Sequence, residues 1–151
     1  MSSPMGTPTT TNSVPTAETT TMSNRIRNMH STLFVPRDQL DALYNALREA
    51  PLWVSPFDIA HALNLKELLN ACGHAPRFDK MGNMTAMYVN GEGYDETSMA
   101  TLYHLLGPFV QAGGVQEFSD EYGSLWRWEF TGTAAVRQTG RVVYENDPTT
   151  K

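Results

Sequence analysis

At 151 residues and 16.8 kDa the chain has the mass of one ordinary domain, with 40% hydrophobic side chains to build a core and only 18% charged. Sixteen acidic against eleven basic side chains leave a formal charge of -5, which disfavours binding that draws on many Lys and Arg facing phosphates. A single cysteine excludes an intrachain disulfide and a four-thiolate zinc site.

Residues 1–24 open the chain with a Thr/Ser/Pro-rich stretch. Eight Thr, four Ser and three Pro fall within residues 1–23, so there is too little apolar area to offset the entropy of ordering them, and disorder is expected. Met22 offers a shorter start. The stretch has neither the basic opening nor the apolar run of a signal peptide, and no later run is long enough to span a bilayer. A cytoplasmic protein with no membrane association is the expectation. Residues 25–147 are expected to form a single α+β domain, with 25–93 and 94–147 as its subdivision if it divides, and 148–151 to fray.

Arg25, Arg27 and His30 lead into Leu33, Phe34 and Val35, which form a short strand or simply anchor the chain on the core. Leu40, Leu43, Tyr44 and Leu47 recur at helical spacing after Pro36, and Pro51 stops that helix, predicting residues 37 to 49. Ser55-Pro56-Phe57-Asp58 combines a capping serine, a proline at the first helical position and an acid, so a second helix starts there. Asn64 to Glu67 repeats the cap, and Leu65, Leu68, Leu69 and Cys72 form the apolar stripe of a third helix, with Gly73 as its left-handed cap. Residues 77–89 change to alternating period, predicting a hairpin that turns near Gly82-Asn83.

After the loop Asn90-Gly91-Glu92-Gly93, residues Met99, Leu102, Leu105, Leu106, Phe109 and Val110 mark an amphipathic helix, capped at Asp95 or Thr97 and ended near Leu106 by Pro108. Four strands are then expected: 115–119, 125–130, 134–138 and 141–145. A loop of Glu121, Tyr122 and Gly123 sets Phe118 opposite Trp126, Gln116 opposite Trp128 and, on the reverse face, Glu117 opposite Arg127. The turn at Thr139-Gly140 would set Val136 opposite Val143. The fold class is therefore α+β: N-terminal helices with a β-hairpin, a further amphipathic helix, and a four-stranded antiparallel meander packed against helices.

Chemistry-bearing residues are sparse. His30, His61, His74 and His104 are scattered, and only Cys72-Gly73-His74 puts two ligands close together, so no metal and no cofactor is expected. Cys72 reads as a small buried hydrophobe at the wrong end of a helix to stabilise a thiolate, and His74 as a surface residue of the cap region. Glu117, Arg127 and Glu129 share one sheet face, either as a solvated charge pair or as acid/base machinery lining a cleft. Phe118, Tyr122, Trp126, Trp128 and Tyr144 offer an aromatic platform if helices cover that side only in part; otherwise Phe118, Trp126 and Trp128 are core, with Phe130. Met81, Met84 and Met87 cannot all share one strand face. Helix-helix-helix-hairpin over 37–89 matches winged-helix modules in topology alone, with Lys66, Asn64 and Asn70 toward bases and Arg77 and Lys80 toward phosphate. Three basic against six acidic residues over 51–96 oppose that. The expected function is a non-enzymatic intracellular protein-interaction module, regulating or inhibiting another protein of basic surface, itself a homodimer. The alternatives are a small enzyme using sheet-face carboxylates and a winged-helix-like DNA binder; nucleic acid is the less favoured partner.

Overall fold

The computed structural model describes residues 25–89 and 95–146. The disorder expected over 1–24, the loop at 90–93 and the fraying expected over 148–151 lie outside the described residues. In chain order come β1 (Ile26–Thr32), a 3-10 turn (Arg37–Gln39), α1 (Leu40–Glu49), α2 (Pro56–His61), α3 (Leu65–Ala71), β2 (His74–Phe78), β3 (Met84–Val89), α4 (Glu96–Leu106), β4 (Val115–Asp120), β5 (Leu125–Phe130) and β6 (Ala135–Gly140). The result is a set of helices with a four-stranded antiparallel sheet, ordered β1-β4-β5-β6, and a separate β2-β3 hairpin.

Local chemistry explains the helix starts. Ser55 Oγ accepts from Asp58 N at 3.1 Å, Asn64 Oδ1 from Glu67 N at 2.9 Å, and Asp95 Oδ2 from Ser98 N at 3.1 Å. Glu67 closes the capping arrangement by accepting from Leu63 N at 2.7 Å. Gly73 has φ +82, a conformation that lets the chain leave α3 and enter β2 at once. The β2-β3 turn is built around Asp79, whose carboxylate accepts from Met81 N and Asn83 N at 2.9 Å. The Asn83 side-chain amide also donates to it and holds its pKa below the usual value.

The β4-β5 register is the expected one: Phe118 faces Trp126, Gln116 faces Trp128 and Glu117 faces Arg127. Its inward aromatics are covered by α4, which buries Met99, Leu102, Tyr103 and Leu106. The Tyr103 ring lies 5.4 Å from Trp128, 6.3 Å from Phe118 and 6.4 Å from Phe130, centroid to centroid. Full burial of an apolar side chain is worth about 1.5–3 kcal/mol, so this layer of rings is a principal part of the core.

One expected strand is in the wrong place. Residues 141–146 form no strand, so the expected pairing of Val136 with Val143 is not made; Val136 keeps its partner Glu129 on β5. The fourth strand is β1, which pairs with the free edge of β4, Arg27 opposite Ser119 and His30 opposite Glu117, with a bulge between Asn28 and His30. Its polar inward positions are the reason that periodicity does not reveal it. Ser31 Oγ accepts from Met87 N at 2.8 Å, and Asn28 Oδ1 accepts from Val89 N at 2.9 Å. These side chains satisfy the edge of β3 where the two sheets meet, so they must be polar. Just beyond β1 the backbone takes over: Leu33 N donates to Thr85 O, and Val35 and Met84 exchange two bonds of 2.9 and 3.0 Å. Leu33 and Val35 are fully buried and anchor the chain as well as pairing it.

Candidate functional site

The sequence-predicted residues fall on both faces of the sheet. On the outer face Arg127 Nη1 donates to Glu117 Oε2 at 3.4 Å, and Arg127 Nε donates to Gln138 Oε1 at 2.6 Å. Glu129 lies two residues along β5 from Arg127 and forms no ion pair among the described residues. A groove of about 470 Å³ runs over this face between Met29, Leu125, Arg127 and Arg141. Arg127 is thus held by a carboxylate and an amide, and the pair is half-exposed. Such a pair is worth under about 1 kcal/mol.

Of the five aromatic candidates, Phe118, Trp126 and Trp128 are buried in the core. Tyr122 sits exposed in the β4-β5 loop, and Tyr144 is exposed in the segment that follows β6. Helix α4 covers the ring face through Tyr103, so the five do not share a surface. Of the methionines, Met84 and Met87 are fully buried and Met81 is exposed in the hairpin turn.

His74 is not a surface residue; it is 2% exposed. Gly73 turns the chain straight into β2, which directs the imidazole inward toward α4. The carbonyl of Cys72 can only accept, so His74 Nδ1 carries a proton and donates to it at 2.9 Å. Nε2 then accepts from the Tyr103 hydroxyl at 3.0 Å. Gln116 Nε2 reaches the Tyr103 oxygen at 3.4 Å and donates to Met87 O at 2.8 Å. Burial penalises the imidazolium and pushes the His74 pKa down to about 4, against a weaker upward pull from the Cys72 carbonyl. Burial likewise pushes the Cys72 thiol up to about 11. Both groups are neutral at physiological pH. The cluster joins α3, β2, β3, β4 and α4, and it lies inside the fold.

Exposed apolar side chains also flank and occupy α2, a segment whose sequence marks only a helix start. Helix α2 has six residues, none of them buried. It is held by its Ser55 cap, by Tyr44 Oη donating to Ala62 O at 2.5 Å, and by the partly buried Ile59 against the core. Phe57 is left 67% exposed and Leu63 79% exposed, and Trp53 is exposed just before the helix. The Phe57 ring stacks on His61 at 4.0 Å, and His61 Nδ1 bonds the Phe57 carbonyl at 2.8 Å, so the aromatic pair is fixed in orientation. Beside the helix a groove of about 590 Å³ opens between α1 and α2, floored by Leu52, Val54 and Ile59 and edged by Arg48 and Glu49. The signal in the sequence was a helix of only two turns carrying a phenylalanine directly after its proline, flanked by Trp53 and Leu63.

The residues of the DNA-reading alternative are partly committed elsewhere. The Asn64 side-chain oxygen is taken by the α3 cap, Glu67 by Leu63 N, and the Arg77 guanidinium lies over the Tyr88 ring at 5.0 Å. Among the described residues no group of three or more His, Cys, Asp or Glu is placed to hold a metal ion, and no helix is long and apolar enough to cross a membrane. Comparison of the chain with protein-family models, with curated proteins and with solved structures finds no match.

Proposed function

We propose that this chain is a non-enzymatic, intracellular interaction module that binds another protein through the α1-α2 surface and regulates or inhibits it. The observation that carries the reading is α2 itself. Short helices are marginal in water and normally persist by burying an apolar stripe. This one fully buries no residue, is held by caps, one tyrosine and the partly buried Ile59, and leaves Phe57 exposed next to Pro56, which lines the groove between α1 and α2. Aromatic anchors next to a groove are the features from which interfaces draw most of their binding energy. The formal charge of -5 favours encounter with a basic partner.

The test compares the full chain with a Phe57→Asp/Leu63→Asp variant in affinity capture from cells that express the protein, followed by titration of each captured protein in purified form. Both side chains are exposed, so the variant should melt within about 2 °C of the parent. A partner that binds the parent and loses at least about tenfold in affinity for the variant supports the reading. Equal binding of every captured protein to both chains removes this surface from consideration.

A further inference from the structure

The segment after β6 reads Arg141-Val142-Val143-Tyr144-Glu145, and its β-branched and aromatic residues have high strand propensity. It forms no strand, and Val142, Val143 and Tyr144 are all exposed, Val143 at 67% and Tyr144 at 92%. It continues directly from β6, which among the described residues pairs only with β5 and is an open edge of the sheet. A strand-forming segment beside an open edge is a template for pairing with another chain.

We propose that residues 141–145 form the two-fold centre of a homodimer, each copy pairing antiparallel with the same segment of the other. The residue order itself identifies the occupant. With Val143 on the axis, Arg141 of each copy lies opposite Glu145 of the other, so the pairing makes two opposite-charge pairs. Val142 lies opposite Tyr144 twice, and Val143 opposite Val143. A slip of one residue in either direction removes both charge pairs, and a parallel arrangement sets Arg against Arg and Glu against Glu. Antiparallel pairing in this one register is therefore selected, and it is the isologous contact that two-fold symmetry requires. Arg141 and Glu145 form no ion pair among the described residues, so both are available. Alternation puts Val142 and Tyr144 on one face of the ribbon and Arg141, Val143 and Glu145 on the other. The same register brings Asn146 opposite Gly140. The contact is short, so the dimer is weak, forming in the range of tens to hundreds of micromolar. It uses a surface separate from α2 and does not depend on the partner proposed above.

The experiment is sedimentation equilibrium of the full chain at low salt, up to about 0.5 mM, a range suited to a small interface. Arg141→Glu alone and Glu145→Arg alone each set like charges opposite one another at both ends, and each should weaken self-association at least about tenfold. The double variant Arg141→Glu/Glu145→Arg should return to within about threefold of the parent, because the pairs are restored with reversed sign. An equimolar mixture of the two single variants should associate as a heterodimer. At about 5 µM, below the association range, far-UV circular dichroism should be the same for all, since these side chains are exposed. A parent chain that stays monomeric at about 0.5 mM overturns the proposal. So does a dimer indifferent to the single changes, or a double variant no better than either single one.

Discussion

Acid should destabilise this protein through His74, and the size of the effect follows from its burial. The imidazole titrates near 6.5 in the unfolded chain and at about 4 in the folded one. Its folded pKa is depressed, so the unfolded state binds the extra proton between those values, and stability rises with pH across the window. The contribution is fully present above about pH 7.5, falls by about 2 kcal/mol on going to pH 5, and is lost by about 3 kcal/mol below pH 4. Two kcal/mol corresponds to roughly 6–10 °C in melting temperature for a folded unit near this size.

Carboxylates also titrate on the acid side, so the assay compares two chains rather than one. Urea unfolding of the parent and of His74→Gln at pH 7.5, 6.5, 5.5 and 5.0 separates the terms. The variant is less stable at pH 7.5, because the Tyr103 hydroxyl and the Cys72 carbonyl lose their partners. Its stability should nevertheless fall less steeply, so the gap between the chains narrows by about 2 kcal/mol at pH 5. Parallel curves over this range would refute the reasoning, for they would mean that the imidazole titrates as it does in water.

Trp128→Ala should cost about 3–5 kcal/mol in denaturant melts, since the indole is buried against Tyr103, while Arg127→Ala should cost under about 1 kcal/mol. Ser31→Ala and Asn28→Ala each strip the partner from a β3 N–H, and each should cost about 1–3 kcal/mol, with faster amide exchange at Met87 and Val89 respectively. Gly107→Ala should destabilise by about 1–3 kcal/mol, because a Cβ there would stand 2.8 Å from the Ala134 backbone, where α4 meets the β5-β6 turn. Cys72 should resist an aromatic disulfide reagent in the native protein at pH 8 and react at once in denaturant, as burial and a thiol pKa pushed up to about 11 both suppress the thiolate.

What the sequence determines by itself is whatever depends on neighbours along the chain. Ser55, Asn64 and Asp95 announce their helices because capping acts over three residues, and Gly73 ends one because only a local φ is at issue. The β4-β5 register is legible because a short turn fixes the pairing, and one register satisfies both the aromatics and the Glu117-Arg127 pair. Tertiary structure decided the rest. A strand's partner across the sheet has no local signature, and of the segments 26–32 and 141–145 only the second has strand-like composition. The free edge of β4 took the first, whose Asn28 and Ser31 look wrong for a strand until β3 is seen to need their hydrogen bonds. His74 passes for a cap residue in sequence and becomes a buried neutral base only because β2 carries it under Tyr103. The aromatics of β4 and β5 are core rather than platform because α4 lies across them, and Phe57 is surface because nothing within the described residues covers α2. Periodicity along a chain records which side chains want burial; only the packing of one element on another settles which of them obtain it.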